Sequence, residues 1–171
     1  MVGIIFVVYQ VKKPLIALQI KKIIILQLKV CVSISKGVYI MKIILNKCYG
    51  GFDVSDEAYE LYAEKKGISL YRYWNDYQNK TMHKGSGRIT YYFTEDFGDS
   101  VENDKIDWKT HLYLNSGHRS DPTLIEVVEE LGKKASGNYG NLVVVEIPDN
   151  MDYVIDEYDG VETLHENVRT W

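Results

Sequence analysis

The chain has few cysteines and no recognisable metal-binding motif. Its 171 residues include only two cysteines, Cys31 and Cys48, and no cysteines or histidines have the spacing of a metal site. A structural zinc site is therefore disfavoured, and so few cysteines favour a reducing intracellular compartment. We predict no cofactor from the sequence.

Long apolar runs are also lacking, even in the isoleucine-rich first 40 residues. Lysines at positions 12, 13, 21, 22, 29 and 36 limit these runs to about eleven residues, whereas a membrane-spanning helix needs about 20 predominantly apolar residues. The apolar stretch at residues 3–9 has no basic residue before it, as a secretory signal would. We therefore predict no transmembrane segment and no export signal.

Acidic residues are absent from the first 40 residues and abundant afterwards. Residues 1–40 carry six lysines and no acid, hence +6, whereas residues 41–171 carry 14 Lys and Arg against 24 Asp and Glu, hence −10. An acidic domain repels phosphate backbones, which disfavours general nucleic-acid binding by residues 41–171. The break predicts a single domain at residues 41–171 and a non-core extension at residues 1–40. There are two interpretations of this extension. Either translation truly starts at Met41 and residues 1–40 are read from the DNA upstream of that start, or residues 1–40 form a cationic surface helix.

The start of the domain reads as a strand, a glycine loop and a helix. Residues 41–45 are apolar, and Ser55 can cap a helix whose first turn carries acids and whose end is marked by Gly67. A strand that turns into a helix within a few residues requires at least one of Gly50 and Gly51 to adopt positive φ.

The rest of the domain predicts a second helix and further strands. Asp121 and Pro122 are a helix-start signature, and the apolar positions that follow have helical spacing up to Gly137. Residues 71–87 and 95–105 read as loops. Strands are predicted at residues 88–94, 106–114 and 142–147, with a hairpin at residues 153–164 that turns at Asp159 and Gly160. We expect an α+β fold, a mixed β-sheet with two main helices packed on it.

Several motifs resemble an uncharacterised family of small bacteriophage and giant-virus proteins. The matching segments are Asn46–Phe52 (NKCYGGF), Asp121–Pro122, Val127–Gly132 (VVEELG), Val144–Asp149 (VVEIPD), Asp156–Gly160 (DEYDG) and Arg169–Trp171 (RTW). The family's first strand usually begins at its initiating Met, which agrees with a start at Met41. Many family members have a shorter connection between the two helices, so residues 71–115 resemble, in part, an insertion. Tyr153 and Thr163 stand where the family commonly has Trp.

The resemblance implies a viral accessory protein in the cytoplasm of the infected host cell. We expect a non-enzymatic binder of a host protein or of a small ligand. The alternative is a small enzyme or nucleotide-ligand-binding protein that uses the loop at residues 48–52. We also expect the tail at residues 169–171 to dock on the domain, because a terminal tryptophan stabilises a fold only when it is packed.

The loop from Cys48 to Phe52 is the candidate ligand site. Backbone amides at a helix N-terminus favour an anion, and glycine allows a ligand to approach closely. The candidate ligand-binding residues are Tyr49, Gly50, Gly51, Phe52 and Arg119, with a small anionic ligand as partner. The loop lacks a P-loop lysine and a full dinucleotide fingerprint, so a purely structural turn is the competing interpretation.

Four residues are candidates for catalysis. Cys48 could act as a nucleophile if a histidine such as His118 came within reach, and Glu157 and Asp159 could act as acid and base. A buried structural cysteine and turn-forming or solvated acids explain the same residues equally well. We predict no metal ligands.

Residues 41–171 expressed alone are expected to fold cooperatively, because the charge break and the resemblance both place the domain start at Met41. Thermal unfolding followed by circular dichroism, with the full chain as control, checks this. We expect one cooperative transition in both proteins. A shortened chain without such a transition would contradict the proposed boundary.

Overall fold

The computed structural model describes residues 39–167, which contain two α-helices and eight strands. The helices are α1 (Asp56–Lys66) and α2 (Pro122–Leu131). The strands are β1 (Ile40–Asn46), β2 (Tyr71–Asp76), β3 (Thr81–Lys84), β4 (Thr90–Phe93), β5 (Ser100–Glu102), β6 (Leu142–Pro148), β7 (Tyr153–Tyr158) and β8 (Val161–Glu166). The predicted α+β domain with two main helices is confirmed. Residues 1–38 of the predicted extension at residues 1–40, and the predicted docking of residues 169–171, lie outside the described residues.

The strands are divided among three sheets, where the sequence suggested one mixed sheet. β1 pairs with β6, and β7 pairs antiparallel with β8. The third sheet has the order β4-β2-β3-β5, and its pairs are antiparallel. Residues 41–147 and 151–167 belong to one compact unit, which holds both helices. A second, small unit includes Tyr39 and residues 148–150, where the Asp149 amide donates to the Tyr39 carbonyl over 2.8 Å.

Helix α1 has the caps that the sequence predicts. The Ser55 hydroxyl accepts from the Ala58 amide over 3.2 Å, and Gly67 ends the helix at φ +66°. The buried face of α1, which includes Tyr59, shares one apolar core with Leu124 and other residues of α2. No helix within residues 39–167 is long and apolar enough to cross a membrane.

The predicted loop at residues 71–87 is wrong, because these residues form β2 and β3. Tyr73 and Met82 are fully buried in a second apolar core with Phe93. The Tyr73 hydroxyl donates to the Asp96 carboxylate over 2.8 Å, which allows a polar aromatic side chain to serve as core. Composition suggested a loop because these rings carry polar ends.

The predicted strand at residues 106–114 is also wrong. The Asp107 carboxylate accepts from the Lys109 amide over 3.0 Å and turns the chain into a 3₁₀ helix at residues 108–110. His111 makes a single antiparallel bridge to Phe93, and the Leu112 amide donates to the backbone carbonyl of Tyr92 over 2.8 Å. The segment therefore runs beside β4 without becoming a strand.

The turn between β7 and β8 packs against the loop that follows β1. Asp159 and Gly160 have φ of +50° and +85°, and Gly50 and Gly51 have φ of +126° and +102°. These angles confirm the predicted positive φ in the glycine loop and the predicted tight turn at Asp159 and Gly160. A Cβ at Gly160 would lie 2.4 Å from the Gly51 nitrogen. The hairpin thus needs glycine here for close approach as well as for its backbone angle.

Replacing Gly160 by alanine should destabilise the protein more than replacing Gly98, which has a φ of +81° and open space around its Cα. Both substitutions place a Cβ at positive φ, at roughly 1–2 kcal/mol. Only Gly160→Ala adds a clash with backbone, worth a further ~1–3 kcal/mol. Urea unfolding of both variants measures the difference. Equal losses would show that the hairpin turn does not press on the loop.

Candidate functional site

Arg119, a predicted ligand-binding residue, forms a two-pronged ion pair with the buried side chain of Glu162. Its Nη1 and Nη2 atoms donate to the two carboxylate oxygens over 3.1 and 2.9 Å. Glu162 is only 3% exposed, and its carboxylate also accepts from the backbone amide of Asn46 over 2.8 Å. Arg119 further donates to the carbonyl oxygens of Ser116 and Ile44, over 3.0 and 3.3 Å. Arg119 is therefore committed to contacts within the protein.

Asn46, at the end of β1, extends this network, and its side chain is fully buried. Its Nδ2 donates to the carbonyl oxygens of Cys48 and Gly160, over 2.7 and 2.6 Å. Its Oδ1 accepts from the Asn141 amide over 2.7 Å. One amide side chain thus ties β1, the following loop, the hairpin turn and the start of β6 together.

The predicted ligand loop is packed against this network. The Gly50 and Gly51 nitrogens face Gly160, where a Cβ would lie 2.6 and 2.4 Å from them. These amides therefore have little room for an anion. Tyr49 is 70% exposed. The Arg119 guanidinium lies over the Phe52 ring, with its central carbon 5.9 Å from the ring centroid.

The structure does not bring the four predicted catalytic residues together. The Cys48 thiol donates to the Tyr139 carbonyl, with Sγ···O of 3.3 Å, and no histidine hydrogen-bonds to it within residues 39–167. The His118 Nδ1 accepts from the Asn115 amide over 3.3 Å inside a capping box. Glu157 and Asp159 are exposed on β7 and its turn.

Sequence reasoning missed Glu162, although its position carried a signal. Strand β8 alternates its side chains between two faces, so Glu162 lies on the same face as Leu164, which packs on an apolar core. An acid on a buried face requires a partner, and Arg119 is that partner.

A cavity of about 640 Å³ lies beside the first turn of α1. Tyr59 and Tyr92 stack at its base with centroids 4.1 Å apart, and His111 stacks on Tyr113 with centroids 5.9 Å apart. Four segments contribute lining residues: 52–59, 87–92, 111–114 and 136–139. The sequence could not reveal this cavity, because no single segment contains it. Of the predicted ligand-binding residues, Phe52 lines it.

The cavity lining contains a buried polar group without a partner. The Tyr92 hydroxyl has no hydrogen-bond partner among the described residues, and the Tyr92 side chain is 4% exposed. Burial raises the pKa of Tyr92 most, and the neighbouring Asp56 carboxylate raises it further, although the two groups do not meet the geometry of a hydrogen bond. Burial lowers the pKa of His111. Both side chains are therefore predominantly neutral at pH 7. A buried hydroxyl without a partner costs about 1–3 kcal/mol, and a ligand could supply the missing hydrogen bond.

Arg119→Met and Glu162→Gln should each lower the free energy of unfolding by about 3–5 kcal/mol, because each leaves a buried charge without its partner. The exposed pair Lys105–Glu102, with N···O of 3.0 Å, provides the control. Lys105→Met should cost under ~1 kcal/mol. Denaturant unfolding measures all three. A loss from Glu162→Gln no larger than that from Lys105→Met would contradict the structural role of the pair.

Among residues 39–167, no group of three or more His, Cys, Asp or Glu side chains is arranged to hold a metal ion. No protein-family model matches the chain, and no curated protein or solved structure shows significant similarity to it.

Proposed function

We propose that this protein is a non-enzymatic binding protein whose cavity beside α1 takes a small organic ligand. The observation that carries the proposal is the cavity itself, about 640 Å³ in volume and lined by aromatic rings around the unpartnered Tyr92 hydroxyl. Small-molecule sites are typically clefts of ~300–1,000 Å³ with mainly apolar and aromatic walls and a few polar groups. The volume of the proposed site lies within this range, and its wall combines aromatic rings with a larger share of polar side chains than is typical.

Binding has more support than catalysis. A nucleophile is normally activated by a base within hydrogen-bond reach. The cavity has no cysteine in its lining, and the His111 ring makes no hydrogen bond inside residues 39–167. The alternative of an enzyme or nucleotide-binding protein that uses residues 48–52 is less favoured, because the Gly50 and Gly51 amides face Gly160.

The viral part of the proposal has a separate basis. A role as an accessory protein in the cytoplasm of an infected host cell rests on the sequence motifs at residues 46–52 and 156–160 and their resemblance to phage and giant-virus proteins. A host protein as partner is the second candidate. Exposed rings at Tyr49, Tyr139 and Tyr158 favour it, since tyrosine is enriched at protein interfaces.

Tyr113→Ala should weaken binding of the neutral probe 2-phenylethanol several-fold, because one lost aromatic contact is worth about 0.5–1.5 kcal/mol. Tyr49→Ala is the matched control, since Tyr49 and Tyr113 are 70% and 61% exposed and only Tyr113 lines the cavity. Saturation-transfer NMR at millimolar probe measures both. Loss of binding in Tyr49→Ala with retention in Tyr113→Ala would move the ligand site to residues 48–52.

A further inference from the structure

The cavity has more acidic than basic side chains in its lining. The carboxylates are those of Asp53 and Asp56, and the one arginine in the lining, Arg88, is exposed. Asp53 accepts from the Tyr139 amide over 3.0 Å. Neither carboxylate has a lysine or arginine partner in the part of the chain that the structure describes. With His111 neutral, two negative charges face one positive charge.

The N-terminus of α1, which would attract an anion, is already satisfied by side chains of the protein. The Ser55 hydroxyl accepts from the Ala58 amide, and Asp56 and Glu57 stand at the positive end of the helix dipole. An anionic ligand, as the sequence predicted, would meet the Asp56 carboxylate at this end of the cavity. A cation would find that carboxylate unpaired.

The Tyr92 hydroxyl supplies a second, independent indication. Tyr92 is one of the lining residues, and its hydroxyl is buried without a partner, so a ligand that reaches this oxygen can donate a hydrogen bond to it. The faces of aromatic rings carry negative charge density and attract ammonium groups, and Tyr59, Tyr91 and Tyr113 are all in the lining. Carboxylate, hydroxyl oxygen and ring faces favour the same ligand chemistry.

We propose that the cavity binds an organic ammonium ion, a small molecule with a protonated amine next to an apolar or aromatic body. Asp56 and the Tyr92 hydroxyl hold the ammonium group, and the stacked rings of His111 and Tyr113 pack against the body. This inference rests on the proposed binding function and names its ligand class.

Isothermal titration calorimetry of the full chain with three probes tests the proposed ligand class. The probes are 2-phenylethylammonium, its neutral counterpart 2-phenylethanol and the anion 3-phenylpropanoate. The ammonium ion should bind about tenfold more tightly than the alcohol, which corresponds to one charge-assisted hydrogen bond. The anion should bind most weakly.

Matched variants then locate the interaction. Asp56→Asn should abolish most of the preference for the ammonium probe, whereas Glu57→Gln, in the same helical turn but outside the cavity lining, should keep it. Tyr92→Phe should reduce the preference several-fold without loss of thermal stability, because it removes a hydroxyl that has no partner among residues 39–167.

The outcomes separate this inference from the proposed function. Binding of the alcohol or anion as tightly as the ammonium ion, with loss in Tyr113→Ala, overturns the ammonium class and leaves a ligand-binding cavity. An unchanged preference in Asp56→Asn overturns the role of Asp56 and with it the inference. Absence of binding by all three probes at millimolar concentration overturns both.

Discussion

The ion pair between Arg119 and Glu162 is the contact on which the arrangement of this domain depends. Burying a carboxylate is costly unless opposite charge and hydrogen bonds replace the water that it loses. Here the guanidinium donates to both carboxylate oxygens and the Asn46 amide donates to one of them. Arg119 precedes α2, Glu162 is in β8 and Asn46 ends β1. This charged cluster therefore fixes the β7–β8 hairpin against the end of β1 and against the segment that precedes α2.

The position of the cavity follows from this cluster through a chain of short contacts. With the hairpin held, Gly160 lies against the Gly50 and Gly51 amides, and the loop after β1 becomes part of the packing. Asp53 then connects this loop to residues 136–139. Its carbonyl accepts from the Gly137 amide over 2.9 Å, and its carboxylate accepts from the Tyr139 backbone amide over 3.0 Å. These bonds hold residues 136–139 as one wall of the cavity. The loop that the sequence marked as a site thus supports the neighbouring one.

The sequence predicted those features that near neighbours determine. The Ser55 cap, the Asp121 and Pro122 helix start and the tight turn at Asp159 depend on residues within a few positions, and each agrees with the structure. The β2 and β3 strands were missed because the burial of Tyr73 depends on the hydrogen bond that its hydroxyl donates to Asp96, 23 residues away. Arg119 was identified, but its partner Glu162 lies 43 residues further on. The cavity combines four separate segments, and its chemistry depends on distances that no local pattern contains.

Amide chemical-shift mapping of the ¹⁵N-labelled protein during titration with 2-phenylethylammonium locates the ligand site. We expect the largest shifts at Asp56, Tyr92, Tyr113 and residues 136–139, which line the cavity. We expect small shifts at residues 48–51, because the hairpin covers the amides of Gly50 and Gly51 and the Arg119–Glu162 pair holds the hairpin in place. If the largest shifts occur at residues 48–51, with little change around Tyr92 and Tyr113, the loop after β1 is the ligand site and the cavity is not.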